Sequence, residues 1–263
     1  MDRSRITDRL FLLAGVLLAP VFLPPYAELL GEPVRTAVGG PAKLFFLLLA
    51  AAFAARSARR FSPRSPARTA WLLLAVGLLL YSCGQLTLVV YQLVLAVSSP
   101  FPSLADAFFI PAACVLIAAL ICLLQVYRRS GLPFDAKRDF GWVGAGSLLV
   151  LGTVVAFVLR PVVASSTGGL GLLLNLAYPI SDLALLVPSL ILLRVSWRLR
   201  GGSVAKVWLA LVVGFVAIAA GDVAFAYFSE MGVGGLDSVI DLLFLAGYMS
   251  IARGALAQDE IAG

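Results

Sequence analysis

The sequence predicts an all-α polytopic membrane protein, with about eight transmembrane helices arranged as two parallel four-helix repeats. Three observations predict it. Hydrophobic residues make up 61% of the 263 residues and charged ones only 13%, and the mean hydropathy of +1.01 lies far above that of soluble domains. Apolar runs of about 20 residues recur along the chain, each long enough to cross roughly 30 Å of hydrocarbon. Basic residues gather in alternate loops, as they do in multi-pass proteins.

Taken in order, the spans fall at about 10–30, 41–56, 70–97, 104–127, 141–163, 170–194, 204–229 and 236–257. The first follows Arg3, Arg5 and Arg9 but has no small-residue cleavage site before soluble sequence, so it reads as a retained helix. The second, from Pro41 to Arg56, is short and rich in alanine. The connecting loops are brief and leave no room for a globular insertion, so residues 1–263 form a single integral membrane domain.

Lysine and arginine set the expected orientation. Arg3, Arg5, Arg9, the arginines from Arg56 to Arg68, and Arg128, Arg129, Lys137 and Arg138 fall on one side. Arg194, Arg198, Arg200, Lys206 and Arg253 join them, making seventeen of the 20 basic residues. Only Arg35, Lys43 and Arg160 fall on the other. The positive-inside rule makes the crowded side cytoplasmic, with both termini there, in a prokaryotic inner or plasma membrane. The net charge of +6 is thus accounted for by helix ends meeting anionic membrane lipid, and no nucleic-acid partner is implied.

The chain resembles itself at a near-constant offset. Gly15, Ala19 and Pro24 recur 137 positions later as Gly152, Ala156 and Pro161, and Pro41 and Arg56 recur 138 later as Pro179 and Arg194. Gly77 and Gly84 recur as Gly214 and Gly221 at 137, and Asp106 and Phe109 as Asp241 and Phe244 at 135. Repeat one then covers about 10–127 and repeat two about 141–257. An even number of helices per repeat inserts both halves the same way up, related by an axis along the membrane normal. The seven-residue glycine spacing puts each pair on one helical face, where small residues let helix backbones approach.

The chemistry that is missing narrows function. There is no histidine, which removes the usual general base and any histidine-ligated metal or haem. Cys83, Cys114 and Cys122 lie inside predicted helices without metal-ligand spacing and read as small packing residues. No phosphate-binding loop, dinucleotide fingerprint or nucleophile elbow occurs, and the three lysines leave none in the last helix for a retinal. No catalytic residue, no metal site and no cofactor is expected.

What remains is a set of carboxylates at membrane depth. Asp106, Asp182, Asp222 and Asp241 lie within or at the mouths of apolar segments. Such groups are costly in hydrocarbon and face a bundle interior or a wet cavity. The expected topology brings all four near the outer face, with Asp182 somewhat deeper. Gln85 takes the place of Asp222 in the first repeat, and Tyr81, Gln85 and Gln92 share one face of the third helix. Asn175, Tyr178, Tyr227, Glu230, Asp237 and Tyr248 add polar or aromatic groups at similar heights. The expected ligand-binding set is Gln85, Asp106, Asp182, Asp222, Asp241, Tyr227 and Tyr248, around an outward-opening cavity, with Lys43 or Arg160 reaching inward as a cationic partner. The competing reading is structural: helix capping for Asp106 and Asp241, and interhelical hydrogen bonds for Asp182 and Asp222.

PFPSLADAFFIPA from Pro100, AYPISDLALL from Ala177, AAGDVAFAYF from Ala219 and DLLFLAGY from Asp241 resemble segments of bacterial and archaeal membrane sensor domains. Those domains precede GGDEF diguanylate cyclase or histidine kinase modules. The resemblance implies reception of a signal in the membrane and output to a cytoplasmic catalytic partner. Pro111 departs from the pattern, standing where the related segments run on as glycine-tyrosine, and no GGDEF or kinase sequence lies within these residues. The output then resides outside this chain or on a partner, or the chain is a stand-alone relative. Three functions stay open: a sensor or receptor binding a small molecule or lipid, an ion-coupled transporter, and a structural subunit of a membrane complex.

The orientation has a direct test. In a background free of native cysteines, cysteine at Ser62 or Ser203 should be shielded from impermeant thiol reagents in intact cells, and cysteine at Ser99 should label. Labelling at position 62 from outside overturns the assignment.

Overall fold

The computed structural model describes residues 3–97, 100–129, 141, 143–146, 149, 152, 169–197, 202–231 and 237–262. Among them every regular element is helical. Helix α1 (Arg3–Phe22) ends at Leu23 because Pro24 and Pro25 follow; Leu23 is extended (φ −69°, ψ 128°) and the prolines open the next helix. That helix, α2 (Pro24–Arg60), is broken at Gly31, whose φ of 78° belongs to the left-handed side of the map, two residues before Pro33. It stops at the extended Phe61, with Arg59 and Arg60 in its last turn beside the free carbonyls. Helix α3 (Pro66–Val89) starts on a proline and runs into a π-helical turn over Val90–Val94. The remaining helices are α4 (Asp106–Arg129), α5 (Leu170–Trp197), α6 (Ser203–Met231) and α7 (Asp237–Ala262).

Six of the described helices are long and apolar enough to cross a membrane: Leu29–Arg60, Pro66–Val94, Asp106–Arg129, Leu170–Arg194, Ser203–Phe228 and Asp237–Ala262. The expected spans at 10–30 and 41–56 are divided differently. The first helix ends eight residues early at the proline pair, and the second reaches back past Pro41, which it tolerates inside its length. Most of the expected span 141–163 lies outside the described residues, although Gly141, Val143 to Gly146, Leu149 and Gly152 are helical.

Helices α2 to α7 form a ring. Each packs on its neighbour in sequence, and α7 closes the circle against α2. Helix α1 lies outside the ring, across α2 and α7. It holds there through Phe11 on Phe46 (ring centroids 6.0 Å apart) and the Asp8–Arg253 ion pair (2.6 Å). Val143 packs on the opposite flank of the ring, against Ile191 of α5 and Leu124 and Tyr127 of α4. One continuous core fills the middle, with Leu47, Ala50 and Ala54 of α2, Trp71 and Leu74 of α3, Leu116 and Leu120 of α4, Leu192 of α5, Trp208 and Leu211 of α6, and Ile251 of α7. The outside is also apolar, with Leu72, Val76 and Leu79 of α3 and Leu209, Val213 and Val216 of α6 exposed, as lipid contact requires.

Glycines set the closest approaches. A Cβ on Gly77 would lie 2.6 Å from the Leu116 side chain, and one on Gly84 2.6 Å from the Phe109 ring. On the other side of the ring, a Cβ on Gly214 would lie 2.5 Å from Ile251 and 2.9 Å from the Gly247 carbonyl oxygen. A Cβ on Gly221 would meet Phe244 at 3.0 Å. The α3–α4 and α6–α7 contacts are therefore built the same way, glycine against the side chain of the next helix. Trp71 and Trp208, 137 positions apart, are both buried.

Gly214→Ala should lower the melting temperature in detergent and cost about 1–3 kcal/mol, since the new methyl group meets backbone as well as side chain. Gly15→Ala, whose Cβ would meet only the flexible end of Met249 at 3.4 Å, should be neutral or slightly stabilising. Equal losses at the two positions would show that the packing argument is wrong.

Candidate functional site

The end of the ring at which α2, α4, α5 and α7 begin, and α3 and α6 finish, holds a cavity of about 870 Å³. That lies within the range of small-molecule sites, a few hundred to about 1,000 Å³. All six ring helices contribute to it. Gly40 and Lys43 come from α2; Tyr81, Gln85 and Gln92 from α3; Asp106 and Phe109 from α4. Asn175 and Tyr178 come from α5, Ile218, Asp222 and Phe225 from α6, and Asp241, Phe244 and Tyr248 from α7. Glu32, Arg35 and Asp237 stand around the rim. The opposite end carries the arginines Arg56, Arg59, Arg60, Arg128 and Arg129 at the last turns of α2 and α4.

Each carboxylate is held differently. Asp106 opens α4, where its Oδ2 accepts the Ser103 N–H at 2.6 Å while Ser103 Oγ accepts the Ala105 N–H at 3.2 Å. This local exchange caps the helix. The other oxygen of Asp106 takes the Tyr178 hydroxyl, so the same side chain also ties α4 to α5. Asp241 is not a cap, because α7 starts one turn earlier at Asp237. It instead accepts Lys43 Nζ at 2.5 Å across the α2–α7 seam, with the lysine side chain 11% and the aspartate side chain 32% exposed.

Asp182 and Asp222 make the third arrangement. Their carboxyl groups meet side chain to side chain. Asp222 opens onto the cavity, whereas Asp182 is 5% exposed and lies behind it. Asp182 lines a chamber of only about 10 Å³, walled by Tyr81, Ile218 and Tyr248, the residues that also line the cavity above. Asp182 Oδ2 has no hydrogen-bond partner among the described residues. Two ionised carboxylates only accept hydrogen bonds and repel each other, so this pair needs a proton shared between its members or a positive charge from elsewhere.

Aromatic rings form the walls. Tyr81 stands 5.3 Å from Phe109 and 6.5 Å from Tyr248, and Tyr248 stacks on Phe244 at 6.3 Å. Phe109 and Phe244 occupy the space left by Gly84 and Gly221, which fixes both rings against the cavity.

Of the seven residues expected at the site, Gln85, Asp106, Asp222, Asp241 and Tyr248 line the cavity. Asp182 sits one layer beneath it, and Tyr227 is elsewhere, its ring against Phe228 at 5.3 Å. Gln85 donates from Nε2 to the Gly40 carbonyl at 3.5 Å, a bond that brings α3 onto α2. Of the two cations expected to reach inward, Lys43 does so, and Arg160 lies outside the described residues. In the sequence Phe109 and Phe244 mark only the repeat, although an aromatic one turn after Asp106 or Asp241 is a usable sign of a lined mouth. The residues from Glu32 to Gly40 were missed because the second span was begun at Pro41.

The chain matches no protein-family model, and neither curated proteins nor solved structures give a match.

Removing one member of the Lys43–Asp241 pair should be worse than removing both. Lys43→Met should cost about 1–3 kcal/mol by stranding a carboxylate, less than the ~3–5 of a fully buried pair because Asp241 keeps some solvent. Lys43→Met with Asp241→Leu should recover most of it in a denaturation cycle in micelles. Additive losses would mean that the two side chains do not interact.

Proposed function

We propose that this chain is a membrane-embedded receptor module that binds a small molecule or lipid in the cavity at one end of the helix ring and signals to a cytoplasmic partner without doing chemistry. The observation that carries the reading is the cavity itself: about 870 Å³, lined by polar and aromatic side chains from all six ring helices, above a tightly filled core. A one-sided pocket over a solid floor suits occupancy by a ligand better than passage through the bundle. The resemblance to sensor domains at Pro100, Ala177, Ala219 and Asp241 favours the same reading, since those segments supply Asp106, Tyr178, Asp222, Asp241 and Tyr248.

The architecture we infer is eight helices in two parallel four-helix repeats. In its favour stand the offsets of 135 to 138 and the matching contacts of Gly77 and Gly84 with those of Gly214 and Gly221. Val143 on the flank opposite α1 supports an eighth, outer helix where the repeat requires one. The orientation we infer puts the cavity on the outside of a prokaryotic inner or plasma membrane and both termini in the cytoplasm. Its support is that the arginine-rich helix ends lie opposite the cavity.

Native mass spectrometry on the chain extracted into lipid nanodiscs tests the function. The expected result is a bound compound that is lost from Leu88→Trp, which fills the cavity, while the fold is kept. If the same compound crosses the bilayer of proteoliposomes faster than it crosses empty ones, the receptor reading falls and the transporter reading replaces it.

A further inference from the structure

We infer that the ligand of this cavity is an organic ammonium ion, seated with its charged nitrogen at Asp222 and its apolar part against the rings of Phe109, Tyr81, Tyr248 and Phe244. The inference rests on the receptor reading and names the ligand class that the reading leaves open.

Charge is the first argument. The cavity is lined by five carboxylates, Glu32, Asp106, Asp222, Asp237 and Asp241, against two cations, Arg35 and Lys43. Lys43 is taken by Asp241, and Asp106 is satisfied by the Tyr178 hydroxyl and the Ser103 N–H. Among the described residues, the partner of Asp222 is another carboxyl group, Asp182. No described lysine or arginine reaches that pair. The carboxylates of the cavity thus outnumber its cations, and at the floor Asp222 faces another carboxyl group where Asp106 and Asp241 have donors.

The second argument is independent of the acidic count. Asp182 is 5% exposed, and its Oδ2 faces no donor although it lines a chamber that adjoins the cavity floor. A buried carboxylate oxygen without a donor is unfavourable in any protein interior. An ammonium at Asp222 places a positive charge next to both carboxylates, and its N–H groups offer the donors that this layer lacks. The chamber, about 10 Å³, has room for one water but not for an organic group, so the bulk of the ligand belongs above it, among the rings.

Shape is the third. The four rings form a connected wall with centroids 5.3, 6.5 and 6.3 Å apart in sequence. Two of them are locked by Gly84 and Gly221 behind them. Aromatic faces attract a cation that lies within about 6 Å of the ring centroid, and the attraction grows when water is excluded. A neutral lipid gains from the rings but leaves the carboxyl pair as it was. An inorganic cation satisfies the pair but has no use for an aromatic wall or for so large a cavity.

The test is calorimetric titration of the full chain in detergent with methylammonium, phenethylammonium, choline and spermidine, each as the chloride, with phenethyl alcohol and sodium chloride as controls. At least one ammonium should bind. Phenethylammonium should bind at least tenfold more tightly than its neutral isostere phenethyl alcohol. Asp222→Asn should weaken the best ammonium at least tenfold and leave phenethyl alcohol unchanged. Phe244→Leu, which keeps the carboxylates, should weaken phenethylammonium and choline more than methylammonium, and it covers the case in which Asp222→Asn fails to fold. Equal binding of phenethylammonium and phenethyl alcohol overturns the ammonium assignment while leaving a ligand-binding cavity in place. Sodium chloride alone blocking the site at matched ionic strength also overturns it, by making the floor an inorganic-cation site. Binding by no ammonium, while native mass spectrometry still finds a bound compound, overturns it as well and leaves the receptor reading standing.

Discussion

The close approach of helix backbones at glycine is the constraint on which the rest depends. In hydrocarbon there is no hydrophobic gain from pressing two apolar helices together, so contact must come from dispersion over well-matched surfaces. Gly77, Gly214 and Gly247 let α3–α4 and α6–α7 come close enough for a side chain of one helix to touch the backbone of the next. Alanines do the same at the α2–α7 seam, where Ala50, Ala54 and Ala58 of α2 and Ala252 and Ala255 of α7 are buried and Ser57 Oγ reaches the Ala255 carbonyl at 3.4 Å. Tight seams at one level let the same helices stand apart at another, and the cavity lies where large rings replace methyl groups.

That arrangement also explains how so many polar groups are tolerated. Each of the costly side chains has been placed at a helix start, across a seam or beside a cavity. Asp106 joins a helix N-terminus to a tyrosine, Asp241 joins α7 to α2, and Asp259 near the other end of α7 meets Arg56 and Arg60 at 3.1 and 3.4 Å. The capping and interhelical readings of the aspartates are therefore not rivals of a binding role. Asp106 performs both local tasks while still lining the cavity. Among the described residues, Asp182 and Asp222 meet each other and no cation.

Much of this was legible in the sequence because membrane burial is read from composition and run length. Ring helices α3 to α7 lie close to their expected spans, and the carboxylates that line the cavity were recognisable as charged residues inside apolar runs. The α1–α2 region was not legible in the same way. Prolines and glycines from Pro20 to Pro41 carry signals for both breaking and opening helices, and only packing decides that the break falls at Leu23 and Gly31 while Pro33 and Pro41 stay inside. Tyr227 is a different case: it is not among the residues that line the cavity, and its ring lies against Phe228. Asp182, expected somewhat deeper than the other aspartates, lines the small chamber beneath the cavity.

A ligand sends a signal only if it prefers one arrangement of the helices over another. Two seams meet the cavity through charge. The α2–α7 seam is pinned at both ends, by Lys43–Asp241 at the mouth and by Arg56 and Arg60 on Asp259 far below. At the α5–α6 seam the polar contact beside the cavity is the pair of Asp182 and Asp222. With both groups ionised, repulsion would oppose close packing of α5 on α6, and a proton between them or a cation at Asp222 relieves it. On the proposed reading a cationic ligand would act on the α5–α6 seam, away from the α2–α7 seam with its two sets of ion pairs. For the receptor proposed above, a difference between these two seams is what would let occupancy at one end of the ring be read as a shift of α5 against α6 at the other.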